Sequence, residues 1–172
     1  LRIILGIDPG SRFTGYAVLQ VPSRNSRQNL KTLDYGTLKL GVNEDFSKRL
    51  LLLNKGLEEL CQKWQPHEMA IEKIFLGKNA DSAFKLGHAR GVCLLIGAKY
   101  NLNIIEYATR HVKKALTGSG SAEKEQVQFM VKQILNVQPQ DFDSSDALAL
   151  AICRAHELES QISLMPHAEK NP

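Results

Sequence analysis

The first apolar run, "RIILGID" at residues 2–8, reads as a buried strand ending in an acid. "TGYAVLQV" (14–21) follows across a glycine-containing loop as its hairpin partner, and "LKTLDYGTLKL" (30–40) alternates as a third strand. Helical spacing takes over at about 44–63, in "EDFSKRLLLLNKGLEELCQKW", and stops before Pro66. "HEMAIEKIF" (67–75) is a short strand that places Glu72 at its C-terminal end. "NADSAFKLGHARGVCLLIGAKY" (79–100) is a long helix whose Gly87, Ala89, Gly91, Gly97 and Ala98 let another backbone approach closely. "NIIEYA" (103–108) makes a fifth strand. Helices are predicted over about 109–116, over 121–135 with Ser121 as N-cap, and over about 144–158. From Glu159 the chain turns polar and is expected to fray.

The order β-β-β-α-β-α-β-α-α-α joins three strands by short links and the rest through helices. It predicts an α/β domain with a mixed five-stranded sheet and helices on both faces. We place that domain at 1–158 and a polar tail at 159–172, and find no repeat or low-complexity tract.

Composition adds bounds. The 172 residues suffice for one full core, and 43% hydrophobic with 23% charged residues describes a globular chain. A net charge of +4 is compatible with nucleic acid without selecting for it. Cys61, Cys93 and Cys153 sit far apart among apolar helical residues and read as buried reduced thiols. The five histidines form no HExxH or i, i+4 pair, so their spacing points to no metal site. No apolar stretch reaches membrane-spanning length and no signal peptide is recognisable, so no membrane partner and a cytoplasmic location are expected.

Candidate chemistry lies in the acids. Asp8 ends the first strand, Glu72 ends the fourth, and Asp143 and Asp146 stand i, i+3 at the head of the last helix. Each has a bland reading: Asp8 as turn chemistry before Pro9-Gly10, Glu72 as a solvated strand end, Asp143 as an N-cap with Asp146 at N3. If strands one and four are neighbours, however, Asp8 and Glu72 end side by side, and a last helix across that edge adds the other two. Four converging carboxylates repel unless hard cations sit among them, and oxygen ligands are what Mg²⁺ prefers. Asp141 is held in reserve.

Four stretches, "GIDPGSRFTGYAVL", "AIEKIFLGKNADSAFKLGHARG", "GSGSAEKEQVQ" and "DSSDALALAI", resemble in order and spacing the RuvC family of bacterial Holliday junction resolvases, from about Arg2 to Ala155. The resemblance implies an RNase H-like fold, a homodimer, and paired, symmetric, Mg²⁺-dependent nicking of four-way junction DNA in recombination and repair. Two Mg²⁺ per subunit are implied, with Mn²⁺ as a substitute, and the RuvA–RuvB branch-migration complex as partner. The family's catalytic acids fall on Asp8, Glu72, Asp143 and Asp146, and its basic residues on Lys113 and Lys124. A lysine there can offset charge developing on the scissile phosphate; the bland alternative is a solvated helix lysine. Its aromatic falls on Phe75, either a loop anchor or a ring that stacks on an unpaired base. Lys73, Lys78, Lys85 and Arg90 are candidate phosphate contacts, or simply a wet face.

Rival readings have discriminating features. "GIDPGSRFTGY" also looks like the phosphate loop of actin-like ATPases and sugar kinases, but those need a second such domain. Gly10 and Gly15 have Walker A spacing, yet Tyr16-Ala17 replace the Lys-Ser/Thr of a P-loop. A non-catalytic junction binder has no use for four acids that repel phosphate. A hybrid-cleaving relative of the same fold needs no dimer seam, which the small residues of 79–100 suit.

Overall fold

The computed structural model describes residues 1–22, 29–73 and 80–164, with side chains through Ser160. Phe75, Lys78 and the expected end of the fourth strand lie outside the described residues.

The elements run β1 (Arg2–Asp8), β2 (Phe13–Val21), β3 (Lys31–Lys39), α1 (Phe46–Trp64), β4 (Glu68–Glu72), α2 (Ala80–Lys99), β5 (Asn103–Tyr107), α3 (Thr109–Thr117), α4 (Lys124–Leu135) and α5 (Phe142–Leu164). They form one sheet ordered β3-β2-β1-β4-β5. The β3-β2-β1 half is antiparallel, and β1-β4-β5 is parallel. The expected order and mixed sheet are what the structure shows.

β1 is central, and its middle, residues 3–7, is apolar because the strand is buried on both faces. Side chains alternate along it: Ile4 joins the core under α3, α4 and α5, with Ala70, Val112, Val127 and Leu148. Leu5 and Ile7 join the other core, under α1 and α2, with Leu53, Leu57, Cys93 and Ile96. Fully burying each such aliphatic side chain stabilises by about 1.5–3 kcal/mol. All three cysteines are buried free thiols, as their apolar neighbours predict. Among the described residues no helix is long and apolar enough to cross a membrane.

Two helices, α4 and α5, have bounds that differ from the sequence expectation. α4 is capped by Glu123 rather than Ser121: the Glu123 side chain accepts from the N3 backbone, and Gln126 accepts from the Glu123 N–H at 2.9 Å. That reciprocal capping box outcompetes the lone serine hydroxyl, which instead meets Ser119 at 3.0 Å. α5 begins at Phe142 and runs beyond Leu158 to Leu164.

Candidate active site

β1 and β4 run parallel with Ile7 opposite Ile71, so Asp8 and Glu72 follow at the same sheet edge. By strand parity both carboxylates point to the α5 side, as Ile4 and Ala70 do. Two glycines let α5 come down onto that edge. A Cβ at Gly6 would meet the Ala147 carbonyl oxygen at 2.3 Å, and one at Gly15 the Asp143 carbonyl oxygen at 1.9 Å. Gly15 pairs directly with Asp8 across the hairpin, so the first turn of α5 is held over Asp8 by bare backbone.

Capping decides which α5 acids are available. Asp141 is the cap: its Oδ1 accepts the Ser144 N–H at 2.8 Å and the Thr37 hydroxyl at 2.9 Å. These bonds outweigh burial and hold the Asp141 carboxyl below the usual range. The bland reading of Asp143 as the cap is therefore displaced, and the reserve candidate Asp141 is occupied. Asp143 and Asp146 keep their carboxylates, one turn apart, for the sheet edge.

Asp8, Glu72 and Asp146 line one cleft of about 140 Å³, with Thr109, Lys113 and Lys124 around it. Asp8 carries the electrostatic signature of the arrangement. Burial first, then repulsion from Glu72, Asp146 and Asp143, pushes its carboxyl up to about 8, against the pull of Lys124. Burial and the fields of Asp141 and Asp146 also raise Asp143, again opposed by Lys124. Lys124, at N1 of α4, donates to Asp146 Oδ2 at 3.0 Å. Desolvation would lower its pKa, but that bond and the fields of Asp146, Asp8 and Asp143 raise it, so it stays charged.

This donor set fits hard divalent cations. It is all oxygen, and among the described residues Lys124 is the one cation bonded to these carboxylates, so without a metal ion Asp8, pushed up to about 8, favours its protonated form near neutral pH.

The other predicted residues are placed less centrally. Lys73 is exposed just past β4, its N–H bonded to the Tyr107 carbonyl at 2.8 Å. Lys85 pairs along α2 with Asp81 at 2.6 Å. Arg90, half-buried, pairs with the exposed Glu106 and donates to the Glu72 backbone carbonyl at 3.3 Å, bracing the end of β4. Thr109 was not foreseen. At the first position of α3 it donates to Glu72 Oε1 at 2.6 Å and sets the rotation of that carboxylate. Its only signal in the sequence is its place immediately after the fifth strand.

Comparison with known proteins agrees with this geometry. The family model for crossover junction endodeoxyribonuclease RuvC matches residues 4–154. The RuvC endonuclease of Pseudomonas fluorescens strain Pf0-1 is 45% identical over 97% of this chain and 92% of its own. That of Bdellovibrio bacteriovorus is 42% identical over 96% of each. In three dimensions the chain is similar to Thermus thermophilus RuvC in complex with Holliday junction substrate. The TM-score is 0.84 at 27% identity, covering 94% of this chain and 98% of that one. The yeast mitochondrial Holliday junction resolvase shares the fold, with a TM-score of 0.63 at 14% identity. By sequence over nearly its whole length and by fold, the chain belongs to the RuvC family of crossover junction endodeoxyribonucleases, metal-dependent nucleases with an RNase H-like fold.

Proposed function

We propose that this chain resolves four-way DNA junctions by hydrolysing one phosphodiester in each of two symmetry-related strands, with Asp8, Glu72, Asp143 and Asp146 holding two Mg²⁺ per subunit. The observation that carries this is Asp8: it ends the central strand, faces three other acids, and is pushed up to about 8 by burial and their charge. A carboxylate set so short of positive charge suits divalent cations, Mn²⁺ as well as Mg²⁺. When bound, such ions activate a water and stabilise the leaving oxygen of an in-line phosphodiester displacement.

The chain's own residues prepare that step. Thr109 keeps the Glu72 carboxylate turned to the cleft. Lys124 orients Asp146 and brings a fixed positive charge to the cleft wall, where a scissile phosphate is otherwise repelled. Lys113, lining the same cleft, adds a second. Lys73, exposed just past β4, and Lys85, paired along α2 with Asp81, are proposed as phosphate contacts outside it. Phe75, from the family resemblance, is proposed as a ring that stacks on an unpaired base, with Lys78 as a further phosphate contact.

Paired nicks on a two-fold junction call for a C₂ dimer. α2 supports one. Phe84 and Leu95 are exposed on it, and a groove of about 990 Å³ runs past Gly87, Gly91 and Leu50. A Cβ at Gly87 or Gly91 would meet nothing within 4 Å, so this face is open to a second helix. A RuvA–RuvB branch-migration complex is the partner the family implies.

The deciding experiment is incubation with an end-labelled synthetic four-way junction and Mg²⁺, with and without EDTA. Symmetric paired nicks that EDTA abolishes are expected. Binding without any cleavage in Mg²⁺ or Mn²⁺ overturns the reading.

A further inference from the structure

Away from the acidic cleft, α3 and α5 bring together a second set of ligand-bearing side chains. His111 stands on α3, and Cys153 and Glu157 stand one turn apart on α5. The imidazole nitrogen, thiol sulfur and carboxylate oxygen all lie within 4.8 Å of one another. No spacing rule reaches this set, because the histidine and the cysteine sit on different helices.

The surroundings orient it. Glu157 Oε2 accepts the Tyr107 hydroxyl at 2.5 Å and the Arg154 guanidinium at 3.3 Å, which turns Oε1 toward His111 Nε2, 3.4 Å away. The Tyr107 ring stacks on the imidazole with centroids 5.7 Å apart. Outer partners of this kind hold ligands in metal sites. A histidine–glutamate contact alone makes no use of the buried Cys153 thiol beneath it. A cavity of about 340 Å³ lies over the group, rimmed by His156 and Ser160, and gives an ion a path in.

We propose that His111, Cys153 and Glu157 bind a zinc-class divalent transition-metal ion, with the fourth coordination position open to solvent. Nitrogen, thiolate sulfur and carboxylate oxygen are the donors such an ion takes, whereas Mg²⁺ prefers oxygen alone. Binding forms a metal–sulfur bond as the Cys153 thiol releases its proton to solvent. Neutral His111 gives the Nε2 lone pair, and Glu157 binds already ionised, so one proton leaves per ion and nothing is oxidised or reduced. The ion ties α3 to α5. Since α3 carries Thr109 and Lys113, and α5 carries Asp143 and Asp146, the tie sets the spacing of the two helices that flank the cleft.

The test uses the full chain with Co²⁺ as a spectroscopic probe and excess Mg²⁺ to occupy the acidic cleft. One equivalent of Co²⁺ is expected to produce a thiolate-to-cobalt charge-transfer band that Zn²⁺ displaces, and Zn²⁺ is expected to raise Tm. His111→Ala, on an exposed side chain, should weaken Co²⁺ binding by about tenfold or more. Cys153→Ala should abolish the band, and Asp146→Asn should leave it intact. Absence of a thiolate band in the wild type overturns the proposal. So does a band that survives Cys153→Ala, which would belong to Cys61 or Cys93, or one whose affinity is unchanged by His111→Ala.

Discussion

β4 begins with Glu68 and ends with Glu72, so the two ends of one short strand hold carboxylates with opposite fates. Glu68 is fully buried, and both its oxygens meet a guanidinium: Oε2 takes Arg154 at 2.5 Å and Oε1 takes Arg2. The charge removed from water there is compensated within the chain. At the other end Glu72 and Asp8 face Asp143 and Asp146. Among the described residues Lys124 is the one cation bonded to that set. A structural carboxylate arrives with its cations. The set at the other end, which we propose holds metal, is left short of positive charge, and the shortfall is its recognisable feature.

The comparison breaks most visibly if the acids at the C-terminal end prove dispensable. Asp8→Asn, Glu72→Gln, Asp143→Asn and Asp146→Asn should each leave the fold intact and junction binding equal or tighter, since a charge that repels phosphate is gone. Nicking should fall roughly 10³-fold or more, because a lost metal ligand forfeits several kcal/mol of transition-state stabilisation at 1.36 kcal/mol per decade. Gel-shift and single-turnover cleavage assays separate the two effects. A variant that cuts at the wild-type rate removes its residue from the site.

Glu68 should give the inverse result. Arg154→Met leaves the buried Glu68 carboxylate with Arg2 as its one cation and should lower stability by about 3 kcal/mol, with junction cleavage per folded molecule unchanged. Adding Glu68→Gln should recover much of that loss. Denaturant titration of the single and double variants checks the coupling; additive losses would show that the pair is not the compensated unit it resembles.

A smaller effect is expected at Thr109. Thr109→Val keeps the shape but removes the hydroxyl that sets the Glu72 rotation. It should slow cleavage at saturating Mg²⁺ by about 10- to 100-fold, as outer-sphere losses do. Thr109→Ser should recover most of the rate. If Val and Ser variants behave alike, the hydrogen bond does not position Glu72.

What was legible in the sequence follows the same division. The four acids stood out because strand order and parity alone carry Asp8 and Glu72 to one edge, and the i, i+3 pair reads directly from a helix. The mixed five-stranded sheet was legible because three short-linked strands and two helix-linked ones admit few arrangements; that it is RNase H-like came from the family resemblance. Partners fixed only by packing were not legible. Arg154 meets Glu68 from a helix 86 positions away, and Arg90 meets Glu106 from 16 positions away. A cap was misjudged at Ser121, and the cap alternative weighed for Asp143 falls to Asp141, because Ser, Asp and Glu compete for a helix start within two residues. Tertiary contacts such as Thr37 to Asp141 decide between them. Gly10 and Gly15 drew notice for their Walker A spacing, whereas Gly15, with Gly6 inside β1, is needed where α5 lands.

The smallest effect concerns the protein without metal, and it tests the charge shortfall directly. Asp8 titrates near 8 in the folded chain against 3.8 in an ordinary environment, chiefly through burial and then its acidic neighbours. A carboxyl raised on folding keeps its proton in the native state where the unfolded chain has lost it. Its contribution to stability is therefore full below about pH 4 and declines as pH rises toward 8. The side chain is partly open to the cleft, so solvent screening reduces the effect to roughly 1–2 kcal/mol, or about 2–4 °C in Tm per kcal/mol for a chain of this size. Asparagine at position 8 mimics the protonated acid at every pH. In EDTA, Tm of the wild type should fall between about pH 5 and pH 8 more steeply than Tm of Asp8→Asn. Mg²⁺ at the upper pH should raise the wild-type value and raise the variant less, because the ion supplies the missing charge only where the carboxylate is present. Parallel curves for the two proteins, in EDTA and in Mg²⁺ alike, would mean that Asp8 is as well compensated as Glu68, and that the contrast between the two ends of β4 is not electrostatic.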